Sequence, residues 1–115
     1  MKIPGVERAE VGEIKIVKYL LSTTHRAGKS KAAFFMDFGF TPERWQELKT
    51  ALRKHAQENE IAYQEVTPFG TRFVIDGSLL APDGTLLNVR AAWFIDSNSD
   101  TPRFVTAHPL RRTRP

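Results

Sequence analysis

The run Thr71-Arg72-Phe73-Val74-Ile75-Asp76-Gly77-Ser78-Leu79-Leu80, then Ala81-Pro82-Asp83-Gly84, then Thr85-Leu86-Leu87-Asn88-Val89-Arg90-Ala91-Ala92-Trp93-Phe94-Ile95 reads as one long β-hairpin. Two apolar-rich stretches flank proline, aspartate and glycine, an order that suits a type I turn closed by a left-handed glycine. A three-residue loop pairs Ala81 with Thr85 and therefore Asp76 with Arg90. That register puts Phe73, Ile75 and Leu79 on one face with Leu87, Val89 and Trp93. Sliding it by one residue mixes the faces, so the pattern itself supports the pairing.

Outward from the hairpin, Ile61 to Val66 is a short strand ending in the turn Thr67-Pro68-Phe69-Gly70. On the other side, the polar loop Asp96-Ser97-Asn98-Ser99-Asp100-Thr101-Pro102 leads to a last strand, Arg103 to His108. Ahead of Glu60 the apolar period changes from 2 to 3.6. Ile14, Val17, Leu20 and Leu21 mark a first helix. Phe34, Phe35 and Phe38 mark a second, with Ser30 at its N-cap and Gly39 at its end. Thr41-Pro42-Glu43 starts a third, whose buried face is Trp45, Leu48, Leu52 and Ala56. His55 lies beside that face without polar company and reads as a structural or surface histidine.

The expected helices are 13–21, 30–38 and 42–57, and the expected strands 61–66, 71–80, 85–95 and 103–108. Helices segregated from strands imply an α+β fold: three N-terminal helices packed on one face of a four-stranded antiparallel meander sheet. The expected division is an irregular lead-in over 1–12, a single domain over 13–109 and a basic tail over 110–115.

Composition narrows the chemistry. There is no cysteine, so disulfides, thiolate nucleophiles and zinc–thiolate sites are excluded. No apolar run approaches a membrane span, and the N-terminus lacks the apolar core of a signal peptide. A cytoplasmic protein that does not engage membranes is the expectation. The net charge of +4 mildly favours an anionic partner. His25, His55 and His108 have no metal-ligand spacing. Gly28-Lys29-Ser30 resembles the end of a P-loop but lacks its first glycine and its strand, so neither a metal nor a nucleotide cofactor is expected.

Two regions carry candidate chemistry. Thr24 to Phe35 packs His25, Arg26, Lys29, Ser30 and Lys31 just ahead of an aromatic helix. Lys31 lies three, four and seven residues before the phenylalanines, on their own face. Its ammonium must either snorkel along the rings or point into a cleft. The second region is the other face of the sheet, where Arg72, Asp76, Asn88 and Arg90 share the hairpin register. Pairing Ile95 with Arg103 adds Thr106 and His108, with His108 beside Arg90, and places Phe94 and Phe104 there too. An Asp76–Arg90 pair is an ordinary stabilising feature of a solvated sheet. Two arginines, a threonine and a histidine are equally the chemistry of a phosphate site.

Tyr19-Leu20-Leu21, His25, Gly28, Lys31-Ala32 and Phe35 resemble the first block of a small uncharacterised bacterial domain family. Phe69-Gly70-Thr71-Arg72-Phe73, Gly77, Pro82-Asp83-Gly84, Val89-Arg90 and Trp93 resemble its second. Pro102-Arg103-Phe104-Val105-Thr106 resembles its closing strand. Thr23-Thr24 and Arg26 depart from the prolines usual around the family's histidine, and His108 stands where an aromatic is common. Such domains stand alone or form the C-terminal toxin tips of filamentous-haemagglutinin-like exoproteins. Their layout is similar to the barnase/EndoU/colicin/RelE ribonuclease fold group.

The resemblance implies a metal-independent endoribonuclease, toxin-like, acting on RNA. In that reading His25 and His108 are the acid and base, and Lys31, Arg72 and Arg90 stabilise phosphate charge. Lys29 adds to substrate binding, and Thr106 holds a phosphate oxygen. A cognate acidic inhibitor or immunity protein is the expected protein partner. The alternative is a non-catalytic RNA- or protein-binding module, antitoxin-like or accessory. Oligomeric state stays open.

Overall fold

The computed structural model describes residues 1–21 and 29–110. Four strands form one antiparallel sheet in the order β1 (Ile61–Thr67), β2 (Gly70–Leu80), β3 (Leu86–Asp96), β4 (Arg103–Pro109). Asp76 sits opposite Arg90, as the hairpin pattern requires. The turn closes through the Ala81 N–H bond to the Thr85 carbonyl, 2.9 Å, with Gly84 at φ 89°. Trp93 and Phe73 point into the core, Trp93 with no exposure at all.

The helical half corrects the expected architecture. Three N-terminal helices on one face are not what the chain forms. A lead-in that makes one 3-10 turn, Val6–Arg8, comes before the longer helices, and its Glu10 bridges Arg103 in parallel. Glu10 N–H donates to the Pro102 carbonyl and Phe104 N–H to the Glu10 carbonyl, both at 2.9 Å. Ile3, Ala9 and Val11 of this segment are buried in the core. Beyond Gly12, among the described residues, the chain forms a set of mostly short helical pieces. Only α2 (Lys29–Asp37) and α3 (Trp45–Glu58) exceed a turn or two. Nor do they share one seat: α3 packs against β2, and α2 meets β4.

The expected first helix breaks into α1 (Glu13–Lys15) and a π-helical turn, Ile16–Leu20. Its defining bond runs from Leu21 N–H to the Ile16 carbonyl, 2.7 Å. A π-turn holds an extra residue, so the buried set becomes Ile16, Leu20 and Leu21, while Ile14 is turned out to solvent.

The other helix boundaries obey local chemistry. At the end of α2, Phe40 N–H bonds the Phe35 carbonyl and Gly39 N–H the Met36 carbonyl. The Phe35 and Phe40 rings meet edge-on at 6.0 Å, the hydrophobic contact that accompanies this two-bond stop. Thr41 Oγ1 accepts from Arg44 N–H at 3.3 Å and caps a tight turn, Pro42–Arg44, that runs into α3. Leu48, Leu52, His55 and Ala56 form the buried face of α3. Its C-terminal end lies so close to β2 that a Cβ on Gly77 would stand 2.2 Å from the Asn59 side chain. A larger residue at 77 would have to displace the Asn59 side chain, whose nitrogen donates to the His55 carbonyl.

A second correction concerns β4. Arg90 pairs with His108 and Ala92 with Thr106, but a bulge then shifts the register, and Trp93 pairs with Phe104. Phe104 therefore turns into the core, 3% exposed, with its ring edge-on to Trp93 at 5.5 Å. The extra residue of a β-bulge re-aims side chains in this way, and simple alternation cannot foresee it.

Candidate functional site

The face of the sheet opposite the core carries Arg72 and Asp76 on β2, Arg90 and Phe94 on β3, and Thr106 and His108 on β4. Arg90 forks onto Asp76, Nε to Oδ1 at 2.7 Å and a terminal nitrogen to Oδ2 at 2.8 Å. Its guanidinium also lies 5.7 Å from the Tyr63 ring centre on β1. The bonds from Arg90 hold the Asp76 carboxyl below the usual aspartate range. Burial opposes that shift, and the fields of Arg90, His55 and His108 add to it. A second fork, Arg103 Nε to Asp96 Oδ2 at 2.9 Å, closes the far end of the face.

Lys31 ends where two hydroxyls meet. Its Nζ donates to Tyr19 OH at 2.5 Å and to Thr106 Oγ1 at 3.0 Å, and the two hydroxyls lie 3.1 Å apart. The ammonium also sits 4.9 Å from the Tyr19 ring centre. Of the two options open to Lys31, its ammonium takes the polar one and joins the cluster of Tyr19 and Thr106. Burial acts to raise the Tyr19 pKa; bonds from Lys31 and Thr106, with the charges of Lys31 and Lys15, outweigh it and lower the value.

His108 is half-buried, and its Nδ1 lies 3.1 Å from the Pro109 carbonyl. If Nδ1 donates that bond, Nε2 is the acceptor nitrogen. Thr106 and His108 are one same-face repeat apart, about 7 Å along β4. Arg72 is exposed on the same face, opposite Phe94. Two same-face steps, about 13 Å along the strand, separate it from Asp76.

Of the residues singled out from sequence, Lys31, Thr106, His108 and Arg90 therefore share one region of the sheet, with Arg72 at its far side. His25 and the side chain of Lys29 lie outside the described residues. His55 is structural: 1% exposed, with Nε2 2.9 Å from the Val89 carbonyl. Sequence reasoning gave Tyr19 no role. The π-turn that presents it leaves no periodic signal, and its cue was a place in the Tyr19-Leu20-Leu21 block of the family resemblance.

The family described as domain of unknown function (DUF6883) matches the chain over residues 2–111. No curated protein matches the sequence. Among solved structures, a chain from the contact-dependent growth inhibition toxin–immunity protein complex of Klebsiella pneumoniae 342 has a similar fold. The TM-score is 0.72 at 12% identity, over 94% of this chain and 98% of that one. At such identity the likeness is one of fold. Among the described residues no helix is long and apolar enough to cross a membrane.

Proposed function

The chain belongs to the DUF6883 family, and from that premise we propose that it is a toxin-like endoribonuclease domain that cleaves RNA without a metal. The observation that carries this reading is the convergence on β4. Thr106, bonded to Lys31, stands one same-face repeat from His108, which lies opposite Arg90. A phosphodiester set between them meets an imidazole on one side and an ammonium with hydroxyls on the other. In-line attack by a 2′-hydroxyl needs a base, and the phosphorane needs cations. His108 Nε2 takes the 2′-proton, and Lys31 with Thr106 holds the non-bridging oxygens. Arg72 and Arg90 guide the strand, and Lys29 adds a further phosphate contact. His25 is the sequence's candidate for the second proton transfer.

The fold likeness to a chain of a toxin–immunity complex supports a toxin-related role and a protein partner. The resemblance to exoprotein toxin tips points the same way, with an acidic immunity protein as that partner. A second reading, a non-catalytic or immunity-like binding module, is favoured by one feature. Arg90 and Arg103 are each neutralised by an aspartate, so much of the face's charge is already spent inside the protein.

Purified protein incubated with total RNA in EDTA separates the two. The endoribonuclease reading expects fragments ending in 2′,3′-cyclic phosphate, and a loss of about 10²–10⁴ in rate for His108→Ala. Binding without cleavage across the pH range leaves the binding module standing.

A further inference from the structure

We propose that the Tyr19 hydroxyl is the group that protonates the leaving 5′-oxygen, an assignment that rests on the endoribonuclease reading. Three observations meet on this side chain. Its hydroxyl closes a triangle with Lys31 Nζ and Thr106 Oγ1. Two ammonium groups lie over its ring, Lys31 at 4.9 Å and Lys15 at 5.3 Å from the centre. And it is carried on a π-helical turn, a distortion found frequently at functional sites.

A tyrosine kept for packing usually finds one hydrogen-bond partner, whereas this hydroxyl meets both an ammonium and a second hydroxyl. Two cations around one phenol favour its ionised form, so the hydroxyl releases its proton more readily than an ordinary tyrosine. The lowered pKa of Tyr19 agrees with this geometry. The position also fits. Thr106 links the phenol to the same strand face as His108, about 7 Å away, and a phosphodiester spans such a gap.

The step balances without a cofactor. His108 Nε2 accepts the 2′-hydroxyl proton as the O2′–P bond forms. The P–O5′ bond breaks, and its electron pair takes the proton from Tyr19 O–H. The products are a 2′,3′-cyclic phosphate and a 5′-hydroxyl. Lys31 and Lys15 hold the phenolate until the imidazolium returns a proton to it through water.

Two measurements test the assignment. The chain has two tyrosines, so in Tyr63→Phe protein the tyrosinate absorbance reports Tyr19 alone. Its midpoint is expected below the ordinary value of about 10, and Lys31→Met should move it back up. In the reaction, Tyr19→Phe is expected to lower kcat by about 10²–10³ and to abolish the alkaline limb of the pH–rate profile. A 5′-phosphorothiolate substrate, whose sulfur leaves without a proton, should restore the Tyr19→Phe rate to within about tenfold of wild type. Equal losses on the oxygen and sulfur substrates, an unchanged alkaline limb, or a midpoint at or above 10 overturn the role of Tyr19 while leaving the endoribonuclease standing. So does a His25→Ala variant that alone loses the limb and is rescued by sulfur. Wild-type protein that cleaves no RNA overturns both.

Discussion

His55 and the Lys31–Tyr19–Thr106 triangle are polar groups held against the same sheet, on opposite sides of it. His55 is shut between α3 and β3, and burial drives its pKa down against the pull of the Val89 and Gly77 backbone and of Asp76. Burial disfavours its charged form, and its Nε2 lies 2.9 Å from the Val89 carbonyl. The triangle sits at the margin of the outer face, only half-buried, where one ammonium holds two hydroxyls. Burial alone therefore does not mark a site. A sealed polar group held by the backbone stabilises the fold, whereas several partly open groups sharing partners can act on a ligand.

The largest effect expected from breaking this contrast is on the sealed side. His55→Ala removes a bond to a buried carbonyl and leaves a cavity, at a cost of about 3 kcal/mol. Urea unfolding should show it, with RNA cleavage per folded molecule unchanged; a loss of turnover without a loss of stability would place His55 in the wrong class. Lys31→Ala should do the reverse. A rate loss of about 10²–10³ is expected, with the unfolding midpoint shifted little and RNA affinity changed less than turnover.

The pH dependence sharpens the same comparison. The folded His55 binds its proton less readily than the unfolded one, so the unfolded state takes up protons first as pH falls. Stability should then decline from about pH 6.5 downward, by linkage, until the folded pKa is reached. His55→Gln should flatten that decline in unfolding titrations. Asp76 acts at lower pH with the same sign: its folded pKa is depressed, so its contribution is present above about pH 4 and lost as pH falls through the folded value.

The smallest effect is expected from Asp76→Asn, at about 0.5–1 kcal/mol, because both partners of the Arg90 fork are partly solvated. Releasing Arg90 should also tighten RNA binding about two- to threefold at low salt, with the gain fading as salt screens it. Weaker binding would show that Arg90 needs Asp76 to present its guanidinium.

Local pattern settled the hairpin, its turn and the Asp76–Arg90 pairing, and with them the shared face of Arg72 and Arg90. Alternation and turn chemistry are local, and a one-residue slip exposes a whole apolar face. It also placed the stop at Gly39 and the cap at Thr41, which depend on a few neighbouring residues. Tertiary structure alone decided the rest. The π-turn that presents Tyr19, the bulge that sends Phe104 inward and the Glu10 bridge to Arg103 each add or pair a residue at little local cost. Which variant forms is settled by the core that Ile16, Leu20, Trp93 and Phe104 fill together, and close packing of residues far apart in the chain leaves no local signal.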